Sequence, residues 1–220
     1  MGRLLKERSR EEARNTTRER KRAILEAATH SFLRLPYADV DLDAIGRRAG
    51  LAKGIVTLYF ETREVLFLRI LKDTLDPWFE SVLQELAASD DSLAPSDVAR
   101  LIARVLLDRD ELTRMLGLLP GALEQNVEVL TAMDFMTWLR ERTDQAGRAL
   151  ERRCPALHAG GGVRFLLRLQ ILVAGAPRMA HVSGMFAAAI RDVAPGITDD
   201  TRREELERLV VAVLADLTRD

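Results

Sequence analysis

The stretch "RRAGLAKGIVTLYFETREVLF" at residues 47–67 decides the fold. Val56 and Phe60 stand four residues apart, so both can bury on one side while Lys53, Gly54, Thr57 and Leu58 stay on the other. Gly50 falls where a left-handed residue would close a tight turn. Two short helices joined through such a turn, with Leu42, Ile45, Leu51, Val56 and Phe60 inward, make a helix-turn-helix. An element of this kind buries one face on its own domain and offers the other to the major groove of DNA. Gly54 lets the backbone approach closely, and Lys53 in the first turn can reach a phosphate or a guanine edge. Arg63 opens the next helix, where its side chain and the free N–H groups suit a phosphate. A small helical bundle with a basic surface has the same spacing, so spacing alone leaves both readings open.

Working outward, nearly every periodic segment repeats at helical spacing, which predicts an all-α chain. Thr16 and Glu19 have capping-box spacing and start a helix that places Ile24, Ala27, Ala28, Ser31, Phe32 and Leu35 on one face before Pro36 stops it. Asp41 caps a second helix through Arg48, a third covers 53–59, and Thr62 caps a fourth that starts at Arg63 and ends near Leu86. Residues 88–97, "ASDDSLAPSD", read as a loop, after which Ser96 caps a helix running to Leu119. Pro120 suits the first turn of a long segment to residue 153 that offers a break near Asn126. Helices follow at 163–186 and 202–218, and Pro177 kinks or ends the first of them.

The composition, 47% hydrophobic and 30% charged over 220 residues, is that of a globular chain. No apolar run of ~18 residues is free of charge, and the charged first 22 residues lack an apolar signal core. Both points predict a cytoplasmic protein with no membrane partner. The single cysteine, Cys154, leaves no internal disulfide and no cysteine-based zinc site. The net charge of −1 hides an asymmetry: residues 1–72 carry 16 Lys+Arg against 10 Asp+Glu, and residues 73–220 carry 17 against 24. A basic module on an acidic body is the pattern of nucleic-acid binding. Residues 1–22 alone hold nine Lys+Arg and four Glu. Such an arm either follows phosphates and enters the minor groove, or is a solvated extension.

The stretch "DLDAIGRRAGLAKGIVTLYFETREVLF" (residues 41–67) resembles the TetR family of bacterial transcriptional regulators. The likeness runs from Thr16 to Leu71 and includes the two surrounding helices, and "PGALEQNVEVLTAMDFMTWL" (residues 120–139) is similar to the C-terminal domains of some members. The resemblance implies an N-terminal three-helix helix-turn-helix domain and a larger C-terminal helical domain for ligand binding and dimerisation. In this chain that means a flexible basic arm at 1–15, the DNA-binding domain at 16–62 and the effector-binding domain at 63–220. It further implies a repressor, dimeric on a palindromic operator in double-stranded DNA and modulated by a small molecule. Carried over by position, Lys53, Gly54, Thr57, Tyr59 and Arg63 would meet DNA, with Asp41 and Ala52 at the helix starts and Leu58 on the same outer face. Ala52 stands where a Ser or Thr cap is common, and that loss is typically worth ~1 kcal/mol. Thr57 replaces a frequent aromatic, and Ile55 and Leu58 are apolar where polar residues are frequent; they either meet thymine methyls or are packed.

The helix near 163–176 is apolar on two sides and the last helix carries a clean apolar stripe. Such helices are either central to the core of a monomer or serve core and interface together, and spacing leaves both open; the resemblance implies that Leu167, Ile171, Leu206, Leu209, Val210, Val213 and Leu217 stand at the interface of a homodimer. Bulky residues of the middle helices, Trp78, Met115, Leu119, Phe135, Trp138 and Phe165, are expected to line a cavity for a mostly hydrophobic effector. Arg168 and His181 are its expected polar anchors. The three histidines are scattered, and neither a HExxH pair nor a Gly-x-Ser-x-Gly elbow occurs, so no catalytic residue, metal or cofactor is expected. The rival reading is a helical adaptor for other proteins, with a basic N-terminal surface.

Overall fold

The computed structural model describes residues 2–89, 91–122, 126–180 and 199–219. Among them the regular structure is helical throughout, with eight α-helices. They are α1 (Gly2–Arg34), α2 (Leu42–Arg48), α3 (Arg63–Ala87), α4 (Pro95–Leu107), α5 (Asp110–Ala122), α6 (Val129–Arg153), α7 (Gly161–Ala180) and α8 (Asp199–Leu217). The chain forms two compact units, residues 1–70 with 121–128, and residues 71–120 with 129–220. The boundary therefore falls inside α3, not at 62/63. Leu66, Phe67 and Ile70 of the first turns of α3 are buried, and Phe67 meets the rings of Phe32 and Tyr37 edge-on at 5.0 and 5.6 Å.

The core of the first unit comes from one face of α1 (Ile24, Ala27, Ala28 and Phe32), from Ile45 of α2 and from Val56 and Phe60. The helix expected to start at Thr16 starts at Gly2 instead, so residues 2–15, expected as an arm, are part of α1. Residues 3–15 contain no proline or glycine, and Glu7/Arg10 and Glu11/Arg14 have the i, i+3 spacing that supports a helix. Thr16 lies inside α1 and not at its start. Two further Thr and Ser hydroxyls, Thr29 and Ser31, donate to carbonyls four residues back.

In the second unit the single helix expected at 96–119 is two helices, broken at Asp108 and Arg109. At the break the Arg109 guanidinium donates to Ser81 Oγ of α3 at 2.6 Å. Pro120 ends up inside α5 and not at the start of the next helix. A break near Asn126 is present, with Asn126 in the left-handed region at φ 58°. α7 runs through Pro177 to Ala180.

α6 and α7 cross at two glycines. A Cβ on Gly162 would overlap the Gly147 carbonyl, and one on Gly147 would lie 2.7 Å from Val163 Cγ2. Glu151 accepts from the Gly162 N–H at 3.1 Å and satisfies one orphan donor of the α7 N-terminus. Beside this crossing, buried Arg153 ties the end of α3 to the end of α6. Its guanidinium donates to the carbonyls of Leu86, Ser89 and Asp91, while its own carbonyl accepts from Leu93 N. Hydrogen bonds from a charged donor are worth about 1.5–3 kcal/mol each, shared here among three acceptors. Arg153→Met keeps the apolar stem and removes the donors; thermal unfolding of the full chain is expected to show a loss of about 3 kcal/mol. A midpoint equal to wild type would remove Arg153 from the residues that hold the second unit.

Candidate nucleic-acid interface and interior cavity

Asp41 stands in an extended conformation before α2, and its carboxylate accepts from Asp43 N at 3.2 Å and Ala44 N at 3.0 Å. It is an N-cap whose oxygens are committed to the helix. Ala49 is the C-cap of α2, and Gly50 follows at φ +69°. Leu51 N then bonds back to Gly46 O at 2.9 Å, which closes the turn.

The α-helix expected at 53–59 is not one. Residues 53–55 form a turn, and a single 3-10 turn spans Val56–Leu58. Three local causes act together. Gly54 sits at φ +79°, outside helical geometry. Ala52 has no oxygen to cap the orphan N–H groups, and no side-chain cap bond is present at this turn. Ile55, Val56 and Thr57 are three consecutive β-branched residues, the type that loses rotamer freedom in a helix. The Thr57 hydroxyl bonds back to Gly54 O at 2.7 Å instead.

The segment nevertheless divides as the periodicity predicts. Val56 and Phe60 are buried, while Ala52, Lys53, Gly54, Thr57 and Leu58 are exposed and Tyr59 and Ile55 are half-buried. The side chain of Lys53 is 86% exposed, and its Nζ lies 3.4 Å from Asp43 Oδ2. Such a surface pair is worth less than about 1 kcal/mol and yields to a phosphate. Leu58, 78% exposed, is the most exposed of the large apolar side chains among the described residues. Arg47 and Arg48, in the last turn of α2, lie on the same unit; helical spacing gave them no role.

Arg63 has a different position from the one expected. Its Nη1 donates to the carbonyls of Tyr37, Ala38 and Val40 at 3.0, 3.1 and 3.3 Å. Nε and Nη2 both reach Glu64 Oε1. The guanidinium stacks 4.5 Å over the Tyr37 ring. Its donors are spent inside the unit, so Arg63 is a clamp for the 37–40 turn and not a free phosphate ligand. Burial, and next the Glu64 carboxylate, raise the Tyr37 phenol well above its ordinary pKa. Thr62 caps α3, accepting from Val65 N at 3.2 Å.

The second unit contains a small interior cavity of about 40 Å³. Trp78, Phe79, Leu106, Leu116, Leu166 and Leu169 supply apolar walls, with Thr143 and Gln170 as the polar ones and no charged residue. Of the expected lining residues only Trp78 reaches it. Met115, Leu119, Phe135 and Phe165 are core residues elsewhere in the unit. Trp138 is half-buried, with its ring 6.3 Å from Phe79 and Lys72 above it at 5.0 Å. Arg168 is exposed and paired with Asp216 at 2.7 Å, so it is not an interior anchor. His181 lies outside the described residues. The indole Nε1 of Trp78 is buried without a hydrogen-bond partner.

The expected dimer residues also divide. Leu167, Ile171 and Leu209 are exposed, Leu206 and Val213 are half-buried, and Val210 and Leu217 are buried within the chain itself. The last two belong to the core because α8 packs against both α4 and α7. Among the described residues no cluster of His, Cys, Asp and Glu has the makings of a metal site, and no helix is long and apolar enough to cross a membrane.

A helical unit that presents an exposed glycine-hinged turn after a capped helix belongs to the helix-turn-helix class of DNA-binding proteins. Residues 24–70 match the bacterial regulatory proteins of the tetR family, and residues 72–217 match the tetracyclin repressor-like C-terminal domain. The chain belongs to the tetR family. It is 33% identical over 79 residues to the uncharacterized HTH-type transcriptional regulator YhgD of Bacillus subtilis, covering 36% of this chain and 37% of that protein. It is 30% identical over 89 residues to the HTH-type transcriptional regulator RutR of Escherichia coli K12, covering 40% of each. The chain thus spans about two-fifths of the length of these relatives. Two solved structures share the fold. NalD, the secondary repressor of the MexAB-OprM multidrug efflux pump in Pseudomonas aeruginosa, covers 93% of this chain and 98% of its own at 21% identity and a TM-score of 0.55. SmeT, the repressor of the Stenotrophomonas maltophilia multidrug efflux pump SmeDEF, covers 89% of each at 18% identity and a TM-score of 0.54.

The clamp and the recognition turn respond differently to substitution. Arg63→Ala leaves Glu64, 3% exposed, without its partner, and unfolding is expected to show a loss of about 3–5 kcal/mol. Glu64→Gln in the same chain is expected to restore part of it, while Lys53→Ala leaves the unfolding midpoint unchanged. Equal stability of Arg63→Ala and wild type would return Arg63 to the exposed surface.

Proposed function

We propose that the chain is a sequence-specific DNA-binding transcriptional regulator, a repressor that acts as a homodimer on a palindromic operator. The observation that carries this reading is the exposure of Lys53, Thr57 and Leu58 around Gly54 while Val56 and Phe60 anchor the same turn. Lys53 meets a phosphate or guanine edge once released from Asp43, and the Leu58 side chain meets a thymine methyl. Ala52 and Gly54, without side-chain bulk, allow the backbone to approach. Tyr59 is the neighbouring polar contact. The family's regulators are not enzymes, and no catalytic role is proposed for any residue.

Dimerisation rests on Leu167, Ile171 and Leu209, with Leu206 and Val213 at their margin. Ile171 is 72% exposed in the protomer, and apolar surface of this kind on two packed helices fits a second copy of the same face. The effector is small, uncharged and mostly apolar. The present cavity is close to one water's share of liquid volume, so an effector enters only as its walls part. An acceptor on the ligand would satisfy the Trp78 indole, with Thr143 and Gln170 as further partners. The protein acts in the cytoplasm.

Selection of bound duplexes from a random pool is expected to enrich a palindrome, and Lys53→Ala is expected to weaken binding to it about tenfold without changing stability. A pool that stays random with and without cell extract would sink the regulator reading. Ile171→Glu combined with Leu209→Glu is expected to halve the mass seen by sedimentation while the helical circular-dichroism signal is kept. An unchanged mass would move the interface elsewhere.

A further inference from the structure

Given the DNA-reading function above, on which this rests, we propose that Lys53 and Asp43 act as one unit that reads a guanine–cytosine base pair, and that Asp43 sets this specificity. Lys53 Nζ lies 3.4 Å from Asp43 Oδ2, and the two side chains are 86% and 35% exposed. At that distance the contact is an ion pair longer than an ordinary hydrogen bond. Both groups are open to a partner that meets them together.

The two charges come from separate elements held at a fixed spacing. Asp43 stands in the first turn of α2, where its N–H donates to Asp41 Oδ1 at 3.2 Å. Lys53 follows the Gly50 turn, which Leu51 N closes on Gly46 O at 2.9 Å. A Cβ on Gly46 would lie 3.2 Å from Val56 Cγ2, so α2 and the recognition turn pack closely. The other acid at this helix start, Asp41, is spent on the helix, with its two oxygens accepting from Asp43 N and Ala44 N.

The pair is complementary to the major-groove edge of one base pair. Guanine offers O6 and N7 there as acceptors, and cytosine offers its N4 amino group as a donor. O6 and N4 face each other across a base-pair hydrogen bond of about 2.9–3.0 Å, close to the separation of Nζ and Oδ2. The ammonium donates to O6 and the carboxylate accepts from N4, while a second ammonium N–H reaches N7. Turning the base pair round sets the carboxylate against O6 and the ammonium against the amino group. Adenine in place of guanine does the same, since its N6 is a donor and thymine O4 an acceptor. Thymine in that place keeps the central match but sets its methyl where N7 would take the second N–H.

A phosphate is the poorer partner. When Lys53 yields to one, the Asp43 carboxylate is left unpaired against the charge of the DNA backbone. On a guanine–cytosine pair both charges are satisfied. Asp43 thereby turns Lys53 from a contact that ignores sequence into one that reads it. An ion pair this exposed adds little to the stability of the fold, so its effect on binding is separable from folding.

The test uses the full chain and Asp43→Asn, which keeps the side chain's size and removes its charge; Lys53→Ala and the double variant complete a cycle. Each is put through selection from a random pool, and affinity is measured on the wild-type consensus and on a random duplex. The wild type is expected to fix one guanine–cytosine pair in each half-site. Asp43→Asn is expected to relax that position alone and to lower the ratio of consensus to random affinity about tenfold. Its affinity for random duplex rises, because a negative charge has gone. In the Lys53→Ala background the same change is expected to leave the ratio where it was, because both residues serve one base pair. Asp43→Asn with the wild-type consensus and ratio overturns the proposal and leaves the sequence-reading function standing. An equal loss on both duplexes does the same and marks Asp43 as a support of α2 only. An adenine–thymine pair fixed at the position that Lys53→Ala relaxes also overturns it. A wild-type pool that stays random with and without cell extract removes the sequence-reading function, and this role of the pair with it.

Discussion

The placement of the recognition turn depends on one ion, the Arg63 guanidinium. It holds three carbonyls of the 37–40 turn, shares the Glu64 carboxylate and lies flat on Tyr37. The segment that leaves α1 is thereby fastened to the first turn of α3, and α2 must start where that segment ends. Tyr37 in turn lies in a stack with Phe32 and edge-on to Phe67. Electrostatic and aromatic contacts thus fix the same three elements. A partly buried charge is tolerated here because each of the three guanidinium nitrogens finds an acceptor.

On this frame the recognition turn can be irregular. Val56 Cγ2 would stand 3.2 Å from a Cβ on Gly46, so α2 and the turn pack at a spacing that only glycine permits without adjustment. Gly54 has open space around it, and its need for glycine comes from φ +79° alone. These two glycines of one motif therefore serve different ends, one close packing and the other backbone conformation. The turn's stability comes from Val56 and Phe60 below it, so its outer side chains carry little structural duty and are available to a ligand.

The second unit uses backbone proximity in the same way at Gly147 and Gly162, where α6 and α7 touch main chain to main chain. Arg153 then secures the exit of α3 by the same chemistry as Arg63 at its entry, a guanidinium spread over three carbonyls. α3 is held at both ends by arginines that belong to different units.

Helical periodicity, the Asp41 and Thr62 caps, the Gly50 turn and the break near Asn126 were legible in the sequence because each depends on residues within a few positions of one another. The inward Val56 and Phe60 and outward Lys53 and Leu58 were legible for the same reason. Residues whose role depends on a distant partner were not. Arg63 looked like a phosphate ligand until three carbonyls some 25 positions away claimed its donors. Arg168 looked like an interior anchor until Asp216 took it to the surface. The last helix showed one apolar stripe, yet only packing against α4 and α7 assigned Val210 to the core and Leu209 to the surface. The recognition segment was read as an α-helix because spacing records which side chains share a face, and a single 3-10 turn between Gly54 and Phe60 keeps the same faces. Local sequence determined the elements and their buried sides; the tertiary structure decided which charged side chains remain free to bind, because that depends on which long-range partners reach them first.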